Sequence, residues 1–255
     1  GVRGQARVSN NLGVLLLDRG QDGDEVERLF TQSVEISRRH GFSLIHAQSI
    51  SCLGMLALAR GAFARARAYF EEAEQRFREL HLPYYVLVNR LNLAVCWMEE
   101  GNLGTAQTRL EALYPDMDPF NDTGLAIELR MYHTLLLLRI GEETEARRLF
   151  KEIRSRLRDH PEQYPAYVVP FLEGMVAAAG SRWTAARAHL QKALGLIDEN
   201  EDLRVRGMLL LELAGVCRHL KDPAAALYLE EAEAIYATFR HQPNLRRIQK
   251  LRSSG

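Results

Sequence analysis

Histidine titrates closest to neutral pH and is the commonest side-chain base and metal ligand, and this chain carries eight. Four of them, His40, His81, His160 and His241, suggest a ligand set. They recur, however, in step with a repeat of about 40 residues and fall at the ends of expected helices, where a cation or donor meets the negative helix terminus. Groups one or more repeats apart lie on a spiral, too far apart to share a zinc ion. His133 and His219 fall in other helices, with no Ser, Cys or Asp placed by the repeat to work with them as base and nucleophile. Each reads as a core or rim residue.

The other reactive types are as quiet. Cys52, Cys96 and Cys217 sit singly among apolar neighbours with no Cys-x-x-Cys pair, the pattern of buried reduced thiols. The acidic run Asp198-Glu199-Asn200-Glu201-Asp202 lacks the spacing of an EF-hand loop and reads as a solvated linker. There is no G-x-S-x-G, no H-E-x-x-H and no phosphate-cradling glycine loop. No catalytic residue, metal ligand or cofactor is expected, and the chain reads as non-enzymatic.

The elements that position these residues are more informative. Leu53-Gly54, Ala57, Gly61, Phe63, Ala66, Phe70 and Ala73 describe an apolar helix, a glycine turn and a second apolar helix. The small-x3-large step then recurs at Val26/Phe30, Ala66/Phe70, Ala106/Leu110, Ala146/Phe150, Ala186/Leu190 and Ala225/Leu229, at intervals of 40, 40, 40, 40 and 39. A small residue of the preceding helix keeps the same beat at Gly13, Gly54, Ala94, Thr134, Gly174 and Ala214. A single hairpin cannot bury its own apolar faces, so stacked copies must share one continuous core.

This stretch resembles the tetratricopeptide signature W-x2-L-G-x2-Y…A-x3-F, with Ile50 and Ala57 in place of the two aromatics of the first helix. The period is about six residues longer than the usual 34. In that respect the chain resembles long-repeat bacterial regulators: the helical sensor of maltotriose-responsive activators, the LuxR-class large ATP-binding (STAND) regulators and peptide-responsive Rap-type proteins. The implied fold is an all-α, right-handed, TPR-like superhelical solenoid of six helix-turn-helix repeats. Their expected spans are about 1–41, 42–82, 83–120, 121–161, 162–199 and 200–242, followed by a basic capping helix or tail over 243–255.

Local signals place the joints. Gly20 to Gly23, Gly141 and Asp222-Pro223 mark turns within hairpins, and Arg38-Arg39-His40-Gly41 ends a helix with a left-handed glycine cap. The third repeat is the least regular: Tyr114-Pro115 and Pro119 cut its second helix short, and Asn121-Asp122 offers an N-cap for the next. In the fifth repeat Pro165 suits a helix start, while Pro170 should kink or delay the helix. Trp183 takes the turn position that Phe63 holds in the second repeat, and Leu245, Ile248 and Leu251 give the C-terminal segment one apolar face.

In the resembled family the first helices line a concave groove. Carried over, the rows facing it are apolar: Val14, Met55, Val95, Leu135, Met175 and Gly215 in one, with Met98, Leu138, Leu91, Met131 and Phe171 in the others. The Lys and Arg that clamp acidic chaperone tails in some relatives are missing, which excludes that subtype. Two readings remain: an apolar, methionine-bearing groove for an amphipathic segment, or a tight superhelix in which the rows are core. The groove reading names Leu91, Val95, Met98, Met131, Leu135, Leu138, Phe171 and Met175 as partner-binding, with Glu99, Glu128 and Arg139 as polar selectors at the rim. The implied partner is a protein or peptide segment, or an adjacent domain. A second reading, a sugar-type inducer sensor, would use Trp97, Tyr132 and Phe171 as platforms.

The bulk composition fits recognition without chemistry. Of 255 residues 47% are hydrophobic, and 33 Lys and Arg balance 33 Asp and Glu. That gives no general attraction for nucleic acid or anionic membrane. With no spanning apolar run and no signal-peptide pattern, the expected compartment is the cytoplasm. Because it opens Gly1-Val2-Arg3 without Met, the chain is expected to be part of a larger protein.

Overall fold

The computed structural model of the chain describes residues 1–21, 23–120, 124–197 and 202–253. The N-cap expected at Asn121-Asp122 and the acidic run 198–201 lie outside the described residues. Those residues form helices and turns, paired along the chain. The hairpins are α1 (Val2–Asp18) with α2 (Gly23–Arg39), α3 (Ser43–Ala59) with α4 (Phe63–Glu79), and α5 (Pro83–Glu100) with α6 (Leu103–Glu111). After the short α7 (Tyr114–Met117) come α8 (Gly124–Ile140) with α9 (Glu143–Asp159), α10 (Val168–Ala179) with α11 (Trp183–Leu194), and α12 (Leu203–His219) with α13 (Ala224–Thr238). The last helix is α14 (Gln242–Ser253). The chain divides into two compact units: Gly1–Asp118 with Thr238–Gln242, and Pro119–Ala237 with Pro243–Gly255. The boundary at 118/119 falls in the repeat that the prolines make irregular.

The 40-residue beat has a direct physical cause. Every large residue of the small-x3-large step is buried, Phe30, Phe70, Leu110 and Leu190 completely, and so are Val26, Ala66, Ala106, Ala146, Ala186 and Ala225. A Cβ on Gly13 would stand 2.6 Å from the Phe30 ring, one on Gly54 2.6 Å from the Phe70 ring, and one on Gly174 2.6 Å from Leu190. The two landmarks are therefore two sides of one contact, in which the first helix is hollowed so that the large side chain of the second can enter.

The turns keep the same beat. Gly20, Gly61, Gly101 and Gly141 have positive φ, and Ser181 and Lys221 take the same left-handed conformation in the last two hairpins. The residue after each donates its N–H five residues back, as Ala62 does to Ala57 (2.9 Å) and Glu142 to Leu137 (2.8 Å). This is the Schellman closure that satisfies orphan carbonyls at a helix end. The joints between hairpins use it too, with Gly41 and His81 left-handed. His81 thus owes its place to the turn, not to a charge at a helix end.

Apart from α1, whose burial is a single stripe, first and second helices differ in how they are buried. In α4 the buried residues are Phe63, Ala66, Phe70, Ala73 and Phe77, a single stripe at helical spacing, whereas in α3 they run Ile45, His46, Ala47, Ser49, Ile50, Cys52, Leu53, Gly54, Leu56 and Ala57. A stripe leaves one face for water, while an unbroken set is covered on nearly all sides. Helix α8 repeats the second pattern.

Prolines shape the irregular copies as steric rules require. Helix α6 has 9 residues, and Pro115 and Pro119 sit in the short turns that follow. Helix α10 has 12 residues against the 17 of α8 and α12. Pro170 lies in its first turn, where the missing N–H is an orphan in any case, so the helix starts late without a kink. The residues released from it, Tyr164 to Tyr167, form a loop over the second unit's core.

Candidate functional site

The first unit places Leu91, Val95, Met98 and Glu99 on α5. Leu91, Val95 and Met98 are buried, at 1%, 6% and 2% exposure, while Glu99 is partly exposed. Trp97 is covered by the Arg67 guanidinium, 3.9 Å from its centroid, and cannot act as an open platform. Several polar groups in this unit find partners inside it, while Asn10 Oδ1 and Trp97 Nε1 are buried with no hydrogen bond among the described residues. The Ser33 hydroxyl donates to the Ala6 carbonyl (2.8 Å) and lies 2.7 Å from the Ser49 hydroxyl, Ser51 donates to Asn89 (3.0 Å), and His46 Nδ1 lies 3.2 Å from the Val34 carbonyl. Arg60 reaches Asp24 and Glu27, and Arg67 reaches Glu100, tying hairpin to hairpin.

His241 belongs to this unit and departs from the helix-end reading. It is 7% exposed, with its ring edge-on to Phe63 at 6.2 Å, and the neighbouring Arg240 grips Asp24 through two bonds of 3.1 and 3.0 Å. Burial holds its pKa below the ordinary value, which favours the neutral ring.

The second unit places Glu128, Met131, Leu135, Leu138 and Arg139 on α8 and Phe171 and Met175 on α10. Five of these meet in one core cluster: Met131, Leu135 and Phe171 are buried within it, and Leu138 and Met175 pack against it. Arg139 is exposed. His133 is buried on α8, and His219 stacks flat on Trp183 with centroids 3.9 Å apart, so both serve packing.

Glu128 stands apart. It is partly buried, and among the described residues no hydrogen bond or ion pair reaches its carboxyl. Burial pushes its pKa up to about 7, against the opposing pull of the Arg204 guanidinium. Tyr164 and Tyr167, in the loop that Pro165 and Pro170 release, have their own phenol pKa values raised by burial first, and feel the charges of Glu128 and Asp202. Tyr132 packs into the same cluster as these two, and Arg204 lies 3.6 Å from Asp202. A half-buried carboxyl beside three phenols and one guanidinium can accept hydrogen bonds from a cationic or amide donor, or donate one when protonated. The carboxyl was legible in the sequence as a rim selector; the tyrosines were not, because their proximity depends on how far α10 is shortened.

Nothing among the described residues brings three metal-ligating side chains together. The three cysteines are free and buried, with the thiol pKa of Cys52 and of Cys96 pushed up to about 12 by burial. No described helix is long and apolar enough to cross a membrane.

No protein-family model and no curated protein sequence matches the chain. Solved structures do match. Aspartyl phosphate phosphatase F from Bacillus subtilis aligns with TM-score 0.73 at 11% identity, over 92% of this chain and 60% of that one. The Rap conjugation gene regulator of plasmid pLS20, solved with the Phr* peptide, aligns with TM-score 0.77 at 13% identity, over 98% and 65%. A Rap protein complexed with competence and sporulation factor gives 0.62 at 12% identity, over 95% and 80%. The chain thus spans less than two thirds of the length of the first two. At these identities the likeness is one of fold: an all-α, TPR-like helical-repeat solenoid.

Proposed function

We propose that this chain is a non-enzymatic recognition module that binds a peptide or protein segment and forms the regulatory part of a larger bacterial signalling or transcription-regulatory protein, acting in the cytoplasm. The observation that carries the reading is the Glu128 carboxyl, which has no hydrogen bond or ion pair among the described residues and is bordered by Tyr132, Tyr164, Tyr167 and Arg204. A half-buried carboxyl without a protein partner is left to bond water, and a ligand that supplies a donor replaces that water. One fold neighbour is described as a complex with a peptide and another as a complex with competence and sporulation factor, which supports a macromolecular ligand of this kind. The accessible members of the expected set, Glu99, Glu128, Leu138, Arg139 and Met175, would make first contact. Leu91, Val95, Met98, Met131, Leu135 and Phe171 would support them from the core or be uncovered as the segment enters. The STAND-type parent remains part of this proposal.

Panning the immobilised chain against a random peptide display library tests it. Enriched peptides are expected to bind with micromolar affinity, and Glu128→Gln is expected to weaken them roughly tenfold. No enrichment, or peptides indifferent to Glu128→Gln, would overturn this reading. The second reading, a small-molecule inducer sensor, draws on the same three tyrosines, which offer platforms beside a polar group as sugar sites do. A thermal-shift panel of sugars and nucleotides that raises the Tm while no peptide does would favour it.

A further inference from the structure

A second feature of the second unit lies on different residues. Helices α9, α10 and α11 border a concavity of about 370 Å³. Along α9, Arg147, Lys151 and Arg154 stand at i, i+4 and i+7, which is one stripe of a helix, and Arg182 joins them from the turn before α11. The acids on this wall are already engaged: Glu143 holds Arg147 at 3.0 Å, and Glu173 faces His189 at 3.0 Å. Among the described residues Lys151, Arg154 and Arg182 have no carboxylate partner. Elsewhere in this unit arginines do have one, as in Arg187 with Asp222 (2.6 Å), Arg206 with Glu231 (2.5 Å) and Arg247 with Glu212 (3.0 Å). The floor is apolar, made by Phe150 and Val176, with the Arg154 guanidinium 5.8 Å from the Phe150 ring centre.

Like charges three and four residues apart on a helix repel by about 0.2–0.5 kcal/mol per pair. An oxyanion seated among them turns that repulsion into attraction. We infer that this concavity is a docking site for an acidic segment of a partner protein. Two or more carboxylates of that segment meet Lys151, Arg154 and Arg182, and an adjoining aliphatic or aromatic side chain rests on Phe150 and Val176. A protein segment fits better than nucleic acid, because the floor is apolar and the chain has no net charge to draw a polyanion. The cations are exposed and spaced by about 4.5–6 Å along the helix axis, which suits carboxylates strung on a segment. This site shares no residue with the Glu128 cluster, so the two proposals stand or fall separately.

Fluorescence anisotropy with a fluorescein-labelled decapeptide of glutamate and leucine, in about 50 mM and about 300 mM NaCl, tests it. Saturable binding that weakens with salt is expected, and Lys151→Glu/Arg154→Glu/Arg182→Glu should bind roughly tenfold more weakly or worse. Arg38→Glu/Arg39→Glu, on exposed cations of the first unit, should leave binding unchanged. If the triple variant loses its helical circular dichroism, the single changes Lys151→Gln and Arg182→Gln carry the test, each with a loss of about twofold to threefold. No saturable binding by the unaltered chain, equal binding by the variants, or a single-stranded oligonucleotide of matched charge binding at least as tightly would each overturn the inference.

Discussion

The two units are built from the same hairpin and differ in where their polar groups find partners, although each bridges hairpins with arginines and each keeps a few buried polar atoms without a hydrogen bond among the described residues. In the first, Ser33, Ser49, Ser37, His46 and Asn89 lie inside the packing and bond to one another or to carbonyls, and arginines bridge successive hairpins to Asp24, Glu27 and Glu100. In the second, one large apolar cluster runs from Ile127 to Ala225. Beside it stand a carboxyl with no hydrogen bond and three exposed cations with no carboxylate partner among the described residues. A polar group satisfied within the protein contributes to the fold. One without a protein partner is left to water and marks where something else can bind. The difference teaches where to look in an array whose repeats otherwise look alike.

Substitutions can break or sharpen that contrast. The largest effect is expected from Met131→Glu, which puts a carboxylate among Ile127, Leu135 and Phe171 at a position 7% exposed. A loss of about 4 kcal/mol or more, seen as a collapsed melting transition, is the expected outcome; a normal melt would show that this face is an open groove. Next is Gly54→Ala in the first unit, whose new methyl would stand 2.6 Å from Phe70. It should cost about 1–3 kcal/mol in urea denaturation, largely recovered by adding Phe70→Leu, because the third repeat already pairs Ala94 with Leu110.

Two changes then test the contrast itself, since they should carry opposite signs. Ser33→Ala should destabilise by about 0.5–1.5 kcal/mol at any pH near neutrality, as it removes the hydroxyl's bonds to the Ala6 carbonyl and to Ser49. Glu128→Gln should stabilise, and only on one side of a pH window. The folded pKa of Glu128 is raised from 4.5 to about 7, so between these values the native state holds the proton more tightly than the unfolded chain, and stability falls as pH rises. Relative to the unaltered chain, the variant should be neutral near pH 4 and more stable by on the order of 1–2 kcal/mol above pH 8. Melting temperatures across that range decide it; a difference independent of pH would remove Glu128 from the contrast. The smallest effect belongs to Arg76→Ala, whose partner Glu72 is an exposed i, i+4 neighbour. Less than about 0.5 kcal/mol is expected in the same assay.

Much of the fold was legible in the residue string because its cause is local and repeated. A hollow in one helix and a bulky residue in the next must recur together, so Gly13, Gly54 and Gly174 announce their partners from a fixed distance along the chain. The left-handed turns recur for the same reason. Candidate sites were less legible. Glu128 could be singled out as a polar residue in an apolar row, but its tyrosines come from a loop whose length depends on where α10 starts. Arg147, Lys151 and Arg154 form a visible stripe on α9, yet a helix with six basic residues reads as solvated until Arg182 and the Phe150 floor are placed beside it.

What the sequence by itself determined was the unit: two helices, their turn, their contact and the beat at which they recur. All of these depend on residues within one period and on steric rules that act at short range. Only the tertiary structure decided which polar groups are satisfied. A serine, a carboxylate or an arginine carries the same donors and acceptors wherever it stands, and whether a partner lies within about 3 Å is set by how hairpins far apart in sequence come to pack.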